Sequence, residues 1–299
     1  MVSSLLTVMT WNMWFDKTNR AQRTETLLNE VRSYDPDIVA LQEVVPESLE
    51  IIIAKMHPTY YIIGTISPEI GYDTIILSKF PPIEWDRYYL PKTKMGRNLL
   101  LATLQTQTRQ ITVGTFHLES VFNRRNNTSE DLKESQLKYI YAISPMNSIL
   151  MGDTNLVLDK DPYPLPSPES PKAPNNPPII DVFYVPLLQR GIPPNTELKF
   201  SPLINDVGAE NIEFQESDVH SESPPDDSSL GVSPFHKGAG AATYCGCTNK
   251  YIKNKSIQSR LDRIYVKIKR NSLKVHFYGL TGTVTQPSDH YGVFTQLEF

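Results

Sequence analysis

Short apolar runs that stop on a polar, chemically able residue recur along this chain, and they limit what it can fold into. Leu5 to Thr10 is β-prone with Asn12 just past its end, Ile38-Val39-Ala40-Leu41 stops on Gln42-Glu43, and Ile111 to Phe116 leads into His117-Leu118-Glu119-Ser120. Ser148-Ile149-Leu150-Met151 runs straight into Gly152-Asp153-Thr154-Asn155. Runs this short and apolar read as buried strands. Open α/β architectures put their sites at the C-terminal ends of such strands.

Between the runs lie helix signals. Leu27, Leu28, Val31 and Tyr34 fall on one helical face of the stretch Arg20 to Tyr34, and Asp35-Pro36 ends it. Thr128-Ser129-Glu130-Asp131 has capping-box spacing and opens a helix to about Ile143, with Leu137, Ile140 and Tyr141 inward. Asp73 to Leu77 and Asn98 to Gln105 read as further strands separated by a proline-containing loop. Leu261 to Ile268 alternates like a half-buried strand with Lys274 to Tyr278 as its expected partner, and Gly292 to Leu297 closes the chain. Strands alternating with two helices suit two sheets packed face to face.

Most of the 24 prolines lie between Asp161 and Pro234, where regular helix or central strand is disfavoured. We read residues 1–299 as one domain carrying a Pro/Ser-rich insertion at about 160–240, with Ile179 to Leu188 or Leu203 to Val207 as the next strand. The tract Glu216 to Ser229 is expected to be disordered. A net charge of -4 argues neither for nor against nucleic acid: a protein that coats duplex usually carries a clear positive excess, whereas a strand end or small anionic substrate needs only a local basic patch. Cys245 and Cys247 are too few for a disulfide scaffold or a zinc site and read as ordinary thiols of a reducing compartment. No stretch reads as a membrane span or signal peptide, so the expectation is a nuclear or cytoplasmic monomer.

Asp153 and Asn155, just off a buried strand, give one water a base and a polar partner on rigid backbone, as a hydrolase needs. Such pairs also occur in ordinary turns, where they bond their own backbone. The case grows with Asn12, Glu43, Asp262 and the pair Asp289-His290, each at a strand end or beside one.

The order Trp11-Asn12, Gln42-Glu43, Gly152-Asp-Thr-Asn155, Asp262-Arg-Ile264, Ser288-Asp-His290 resembles the endonuclease/exonuclease/phosphatase superfamily. Within it, Met95-Gly-Arg97-Asn-Leu-Leu, His117-Leu-Glu-Ser120 and Arg260-Leu-Asp262-Arg-Ile look like the tyrosyl-DNA phosphodiesterase 2 family. The resemblance implies an α/β fold with a four-layer sandwich, two packed β-sheets flanked by helices. It also implies Mg²⁺, with Mn²⁺ able to substitute, and hydrolysis of the bond between a trapped protein's tyrosine and a nucleic-acid 5′ phosphate, as in DNA repair.

On that resemblance Glu43 supplies the metal carboxylate, Asn12 orients metal or water, and Asp289 is a supporting ligand. Asp153 activates water, Asn155 and His290 donate to the phosphoryl oxygens, and Asp262 orients His290. His117 and Ser120 bind phosphate, Arg97 and Tyr72 lie near the departing phenolate, and Tyr244 stands where the family has a tryptophan that packs on DNA. Val157 stands where the family has an arginine, and the insertion falls between motifs that frame the substrate channel. These departures leave hydrolysis intact and keep other substrates of the superfamily open: an abasic site in DNA, an RNA poly(A) tail, or a phosphoinositide or sphingomyelin headgroup.

Overall fold

The computed structural model describes residues 5–120, 130–156, 179–181, 242–246, 248–267 and 274–298. The chain runs β1 (Leu5–Asn12), α1 (Arg20–Tyr34), β2 (Ile38–Val44), α2 (Pro46–Met56), β3 (Tyr61–Ile63), β4 (Asp73–Ser78) and β5 (Pro82–Tyr89). It continues through β6 (Asn98–Gln105), β7 (Gln110–His117), α3 (Glu130–Ile143), β8 (Ser148–Asp153), β9 (Ile179–Asp181), β10 (Tyr244–Cys245) and β11 (Gln258–Ser259). It ends with β12 (Asp262–Lys267), β13 (Lys274–Thr281) and β14 (Gly292–Glu298).

Two six-stranded sheets result, ordered β13-β14-β1-β2-β4-β3 and β5-β6-β7-β8-β12-β9, beside the small ribbon β10-β11. Among the described residues each sheet has a single parallel pair, at its heart. β1 and β2 flank α1 and place Asn12 opposite Gln42; β7 and β8 flank α3 and place His117 opposite Asp153. A parallel pair requires a crossover, and a helix with one apolar face supplies it while covering the sheet.

Alternation along the strands assigns the layers. In β1 and β2, Val8, Ile38 and Ala40 point between the sheets, where they meet Ala102, Val113, Ile149, Met151 and Ile264. Their neighbours Met9, Val39 and Leu41 point outward, under Leu27, Leu28 and Val31 of α1 and Ile52 and Met56 of α2. On the far side, Leu137 and Ile140 of α3 cover Leu99, Phe116 and Leu150. Strands covered on both faces need the near-continuous apolar runs seen in the sequence. The fold is the four-layer α/β sandwich.

Three expectations change. α2 is a third helix, opened by Pro46 in its first turn; the run Ile51-Ile52-Ile53 hides its helical period by being apolar on consecutive positions. β5 occupies the stretch read as a loop, and its mostly exposed edge position explains why it lacks an apolar signature. β13 pairs with β14 across the other sheet and not with β12, which sits between β8 and β9. Of the two islands in the proline-rich stretch, Ile179–Asp181 supplies the strand beside β12. The rest of the insertion, the tract 216–229 and Val157 lie outside the described residues.

Candidate active site

The C-terminal ends of the two parallel pairs meet at one edge of the sandwich. Gln42, fully buried, donates through Nε2 to Thr10 Oγ1 at 3.1 Å and across the sheets to Thr115 Oγ1 at 3.0 Å, fastening the two pairs together. One residue on, the pairing of β2 with β4 shifts register, and Glu43 takes a left-handed backbone with φ 57°. A bulge with a left-handed residue re-aims a side chain out of the ladder. Asn155 is left-handed too, at φ 50°, with its N–H donating to Asp153 Oδ1 at 2.8 Å. Non-glycine residues held there store strain that clusters at working sites.

Asp153 is the hub. Asn12 Nδ2 donates to its Oδ2 at 3.0 Å, and the same oxygen lies 3.3 Å from His117 Nε2 and 3.8 Å from His290 Nε2. Burial pushes its carboxyl upward, but His117, His290 and these hydrogen bonds prevail and hold it below the ordinary value. His290 presents its other nitrogen, Nδ1, to Asp262 Oδ2 at 2.7 Å. Burial opposes charge on this ring, yet Asp262 and Asp153 raise it well above the usual imidazole value, so it is a cation at neutral pH. His117 behaves in the opposite way. Burial and the Arg97 guanidinium, 2.6 Å from Nδ1, hold it well below the usual value and hence neutral.

Arg97 is buried and divides its donors among His117, Ser120 Oγ at 3.3 Å and Met95 Sδ, while its guanidinium lies 5.5 Å over the Tyr72 ring. Phe15 stacks on Tyr72 at 5.2 Å with the planes 9° apart. Burial raises the Tyr72 hydroxyl against the pull of Arg97. A narrow cleft lined by Glu43, Tyr72, Met95, Arg97 and His117 runs between these groups. Tyr244 tilts against His290 with ring centroids 5.0 Å apart. Every candidate residue named from sequence therefore stands in or beside this one cluster.

The donor set fits a hard divalent cation. Burial raises the carboxyls of Glu43 and Asp289, and Asp289 raises Glu43 further, so these two acids need positive charge between them to ionise comfortably. Glu43 Oε2 is anchored by the Phe15 N–H at 2.9 Å, while its side chain stays 11% exposed. Oxygen donors, partly open and rigidly aimed, are what Mg²⁺ accepts. Ligand atoms of Asp153, Asp262 and His290 also lie within 4.8 Å of one another. There the His290 Nδ1 is already committed to Asp262 and the ring is charged, which suits a proton donor better than a ligand.

Four further residues support the site, of which Trp11 and Ser288 belong to motifs already named and Arg23 and Lys133 do not. Trp11 Nε1 donates to the His290 carbonyl at 3.0 Å, and Ser288 Oγ donates to the Asn12 carbonyl at 2.6 Å, tying the β14 loop to β1. Arg23 spends its guanidinium on the carbonyls of Thr18, Met13, Pro287, Trp14 and Asp16. Lys133 reaches the Asn155 carbonyl at 2.6 Å and Glu130 at 2.7 Å. The available clue was a cation on an apolar stripe: Arg23 precedes Leu27 by one helical turn, and Lys133 precedes Leu137 likewise.

Cys245 is not an ordinary thiol. It is disulfide-bonded, and Cys247 lies outside the described residues. Among the described residues no helix is long and apolar enough to cross a membrane.

Two packed sheets with a carboxylate, histidine and carboxamide cluster at their joined strand ends define a class. The profile of the Endonuclease/Exonuclease/phosphatase family matches residues 9–290, and the chain belongs to that family. Tyrosyl-DNA phosphodiesterase 2 of Rattus norvegicus is 34% identical over 158 residues, 52% of this chain and 42% of that protein. The Homo sapiens protein of the same name is 31% identical over 157 residues, 51% of this chain and 42% of its own length. The match thus spans less than half of these curated relatives. A crystal structure of D. rerio TDP2 complexed with single strand DNA product has a TM-score of 0.63 at 20% identity, covering 99% of this chain and 100% of that one. For TDP2 from C. elegans the TM-score is 0.65 at 20% identity, covering 99% and 75%. At that identity the likeness establishes the fold.

Proposed function

We propose that this chain is a divalent-metal-dependent phosphodiesterase that hydrolyses the bond between a tyrosine and a 5′ phosphate of nucleic acid. The observation that carries the reading is that His117 joins two groups: its Nε2 lies 3.3 Å from Asp153, beside the His290–Asp262 pair, and its Nδ1 faces Arg97, which lies over Tyr72. Glu43, with Asp289 and Asn12 beside it, would hold Mg²⁺ or Mn²⁺, which supplies neutralisation of charge on a phosphoryl oxygen.

Asp153 orients the attacking water through the oxygen it shares with Asn12. Its lowered pKa makes it a weak base, so it takes the water's proton only as the new P–O bond forms. Asn155 and the His290 cation donate to the non-bridging oxygens as charge builds, and Asp262 holds the ring that does so. The bond from phosphorus to the tyrosyl oxygen breaks. A phenol, with a pKa of roughly 10, leaves as phenolate and recovers the proton, so little acid catalysis is required. His117, neutral, and Ser120 bind phosphate, with Arg97 fixing both. Tyr244, packed on His290, meets the adjoining nucleotide by stacking.

The test is turnover of a synthetic strand bearing a 5′-phosphotyrosine beside one with an internal abasic site, with Mg²⁺ and with EDTA. Release of tyrosine that needs the metal, with the abasic strand intact, is the expected result. Cleavage of the abasic strand alone would move the chain to another substrate of its family.

A further inference from the structure

Two successive aromatic residues follow Met13 in the loop from β1 to α1, and they take different partners. Trp14 packs on Tyr251 with centroids 4.8 Å apart, whereas Phe15 stacks on Tyr72. Phe15 is tied to the cluster twice: its ring lies flat on Tyr72, and its N–H holds Glu43 Oε2 at 2.9 Å. Its ring plane is therefore fixed a few bonds from the carboxylate that the proposed reaction uses for metal.

Arg97 is 4% exposed and committed to His117, Ser120 and Met95, so it cannot swing out to meet a departing group. Tyr72 already has Arg97 over its ring and Phe15 stacked on it. The open member of this column is Phe15, 41% exposed. We infer that Phe15 is the specificity-determining contact for the leaving group, giving the site its preference for an aromatic over an aliphatic one. Arg97 then acts on that group at one remove, by orienting Tyr72. The inference rests on the phosphotyrosyl reading above.

The experiment compares two 5′ esters of one oligonucleotide, phenyl and hexafluoroisopropyl. The leaving alcohols have similar acidity, so only shape and π-character differ. Aromatic pairing contributes enough to change a rate constant about 2- to 12-fold. In Phe15→Ala, kcat/KM on the phenyl ester falls by about that factor, and the loss on the fluoroalkyl ester, which has no ring to pair, is smaller. Phe15→Tyr keeps the phenyl preference. Mn²⁺ affinity, read by electron paramagnetic resonance, stays within about twofold in Phe15→Ala because the N–H to Glu43 survives the substitution.

Equal losses on the two esters, or loss on neither, would overturn the assignment. A fall in Mn²⁺ affinity matching the fall in turnover would also overturn it, since Phe15 would then act through Glu43. Failure of the wild-type chain to cleave the phenyl ester would sink the phosphotyrosyl reading itself, and is seen before any variant is made.

Discussion

His290 Nδ1 lies 2.7 Å from Asp262 Oδ2, and both side chains are buried. The ring is thereby strung between two acids, since Nε2 faces Asp153 at 3.8 Å. Against burial, those acids raise its pKa well above the ordinary imidazole value of 6.5. A raised value contributes stability that is complete below about pH 6.5 and is lost as pH rises through the folded-state value. In metal-free Asp262→Asn the ring loses the larger of its two raising partners. It deprotonates at lower pH, and the alkaline loss of stability begins lower on the scale. Proton NMR of the ring follows this directly; a titration identical to wild type would show that its charge is set elsewhere.

Glu43→Gln keeps the shape of the side chain and removes its charge. Burial and the neighbouring Asp289 raise the Glu43 carboxyl, so its ionised form costs stability without a cation. The metal-free variant should melt at a higher temperature than metal-free wild type, and the rise in melting temperature on adding Mn²⁺ should disappear. Mn²⁺ affinity should fall at least about tenfold, or ~1.4 kcal/mol. Normal affinity in the variant would put the metal elsewhere.

Arg23 fastens the loop after β1 to the loop before β14 by donating to carbonyls in both. Arg23→Met fills the volume and strands those carbonyls, one of them Pro287, two residues before Asp289. Unsatisfied buried groups cost ~1–3 kcal/mol each where water cannot replace the donor, so urea denaturation should report a loss of about 3 kcal/mol or more. A loss under about 1 kcal/mol would mean water reaches the loop.

Lys133 caps the carbonyl of Asn155, whose left-handed backbone has to be held from outside. Lys133→Met should lower kcat on a phosphotyrosyl strand at least about tenfold, or ~1.4 kcal/mol of transition-state binding. KM and Mn²⁺ affinity should move far less, because Glu43 lies on β2. An unchanged kcat would show that Asn155 needs no such support.

The parts legible in sequence share one property, that local pattern and tertiary demand agree. The expected helix over Arg20 to Tyr34 coincides with α1, because its apolar face and its Asp35-Pro36 stop are written in adjacent residues. β2, β7 and β8 were equally plain, since strands covered on both faces must be apolar throughout. β5 and α2 were not: an edge strand needs no apolar alternation, and α2 carries isoleucines on consecutive positions that blur its period.

The sequence by itself placed Asn12, Glu43, His117 and Asp153 at strand ends and His290 just before a strand, because each follows or precedes an apolar run that reads as a strand. Only the tertiary structure decided what each of them is. Asp153 and His290 are 137 positions apart in sequence, and only contact makes one a depressed acid and the other a retained cation. Likewise Arg23 and Lys133, ordinary helix cations by composition, become supports for two loops because packing removes them from water and leaves backbone carbonyls as their partners. Side-chain identity is local; dielectric, neighbours and protonation belong to the fold.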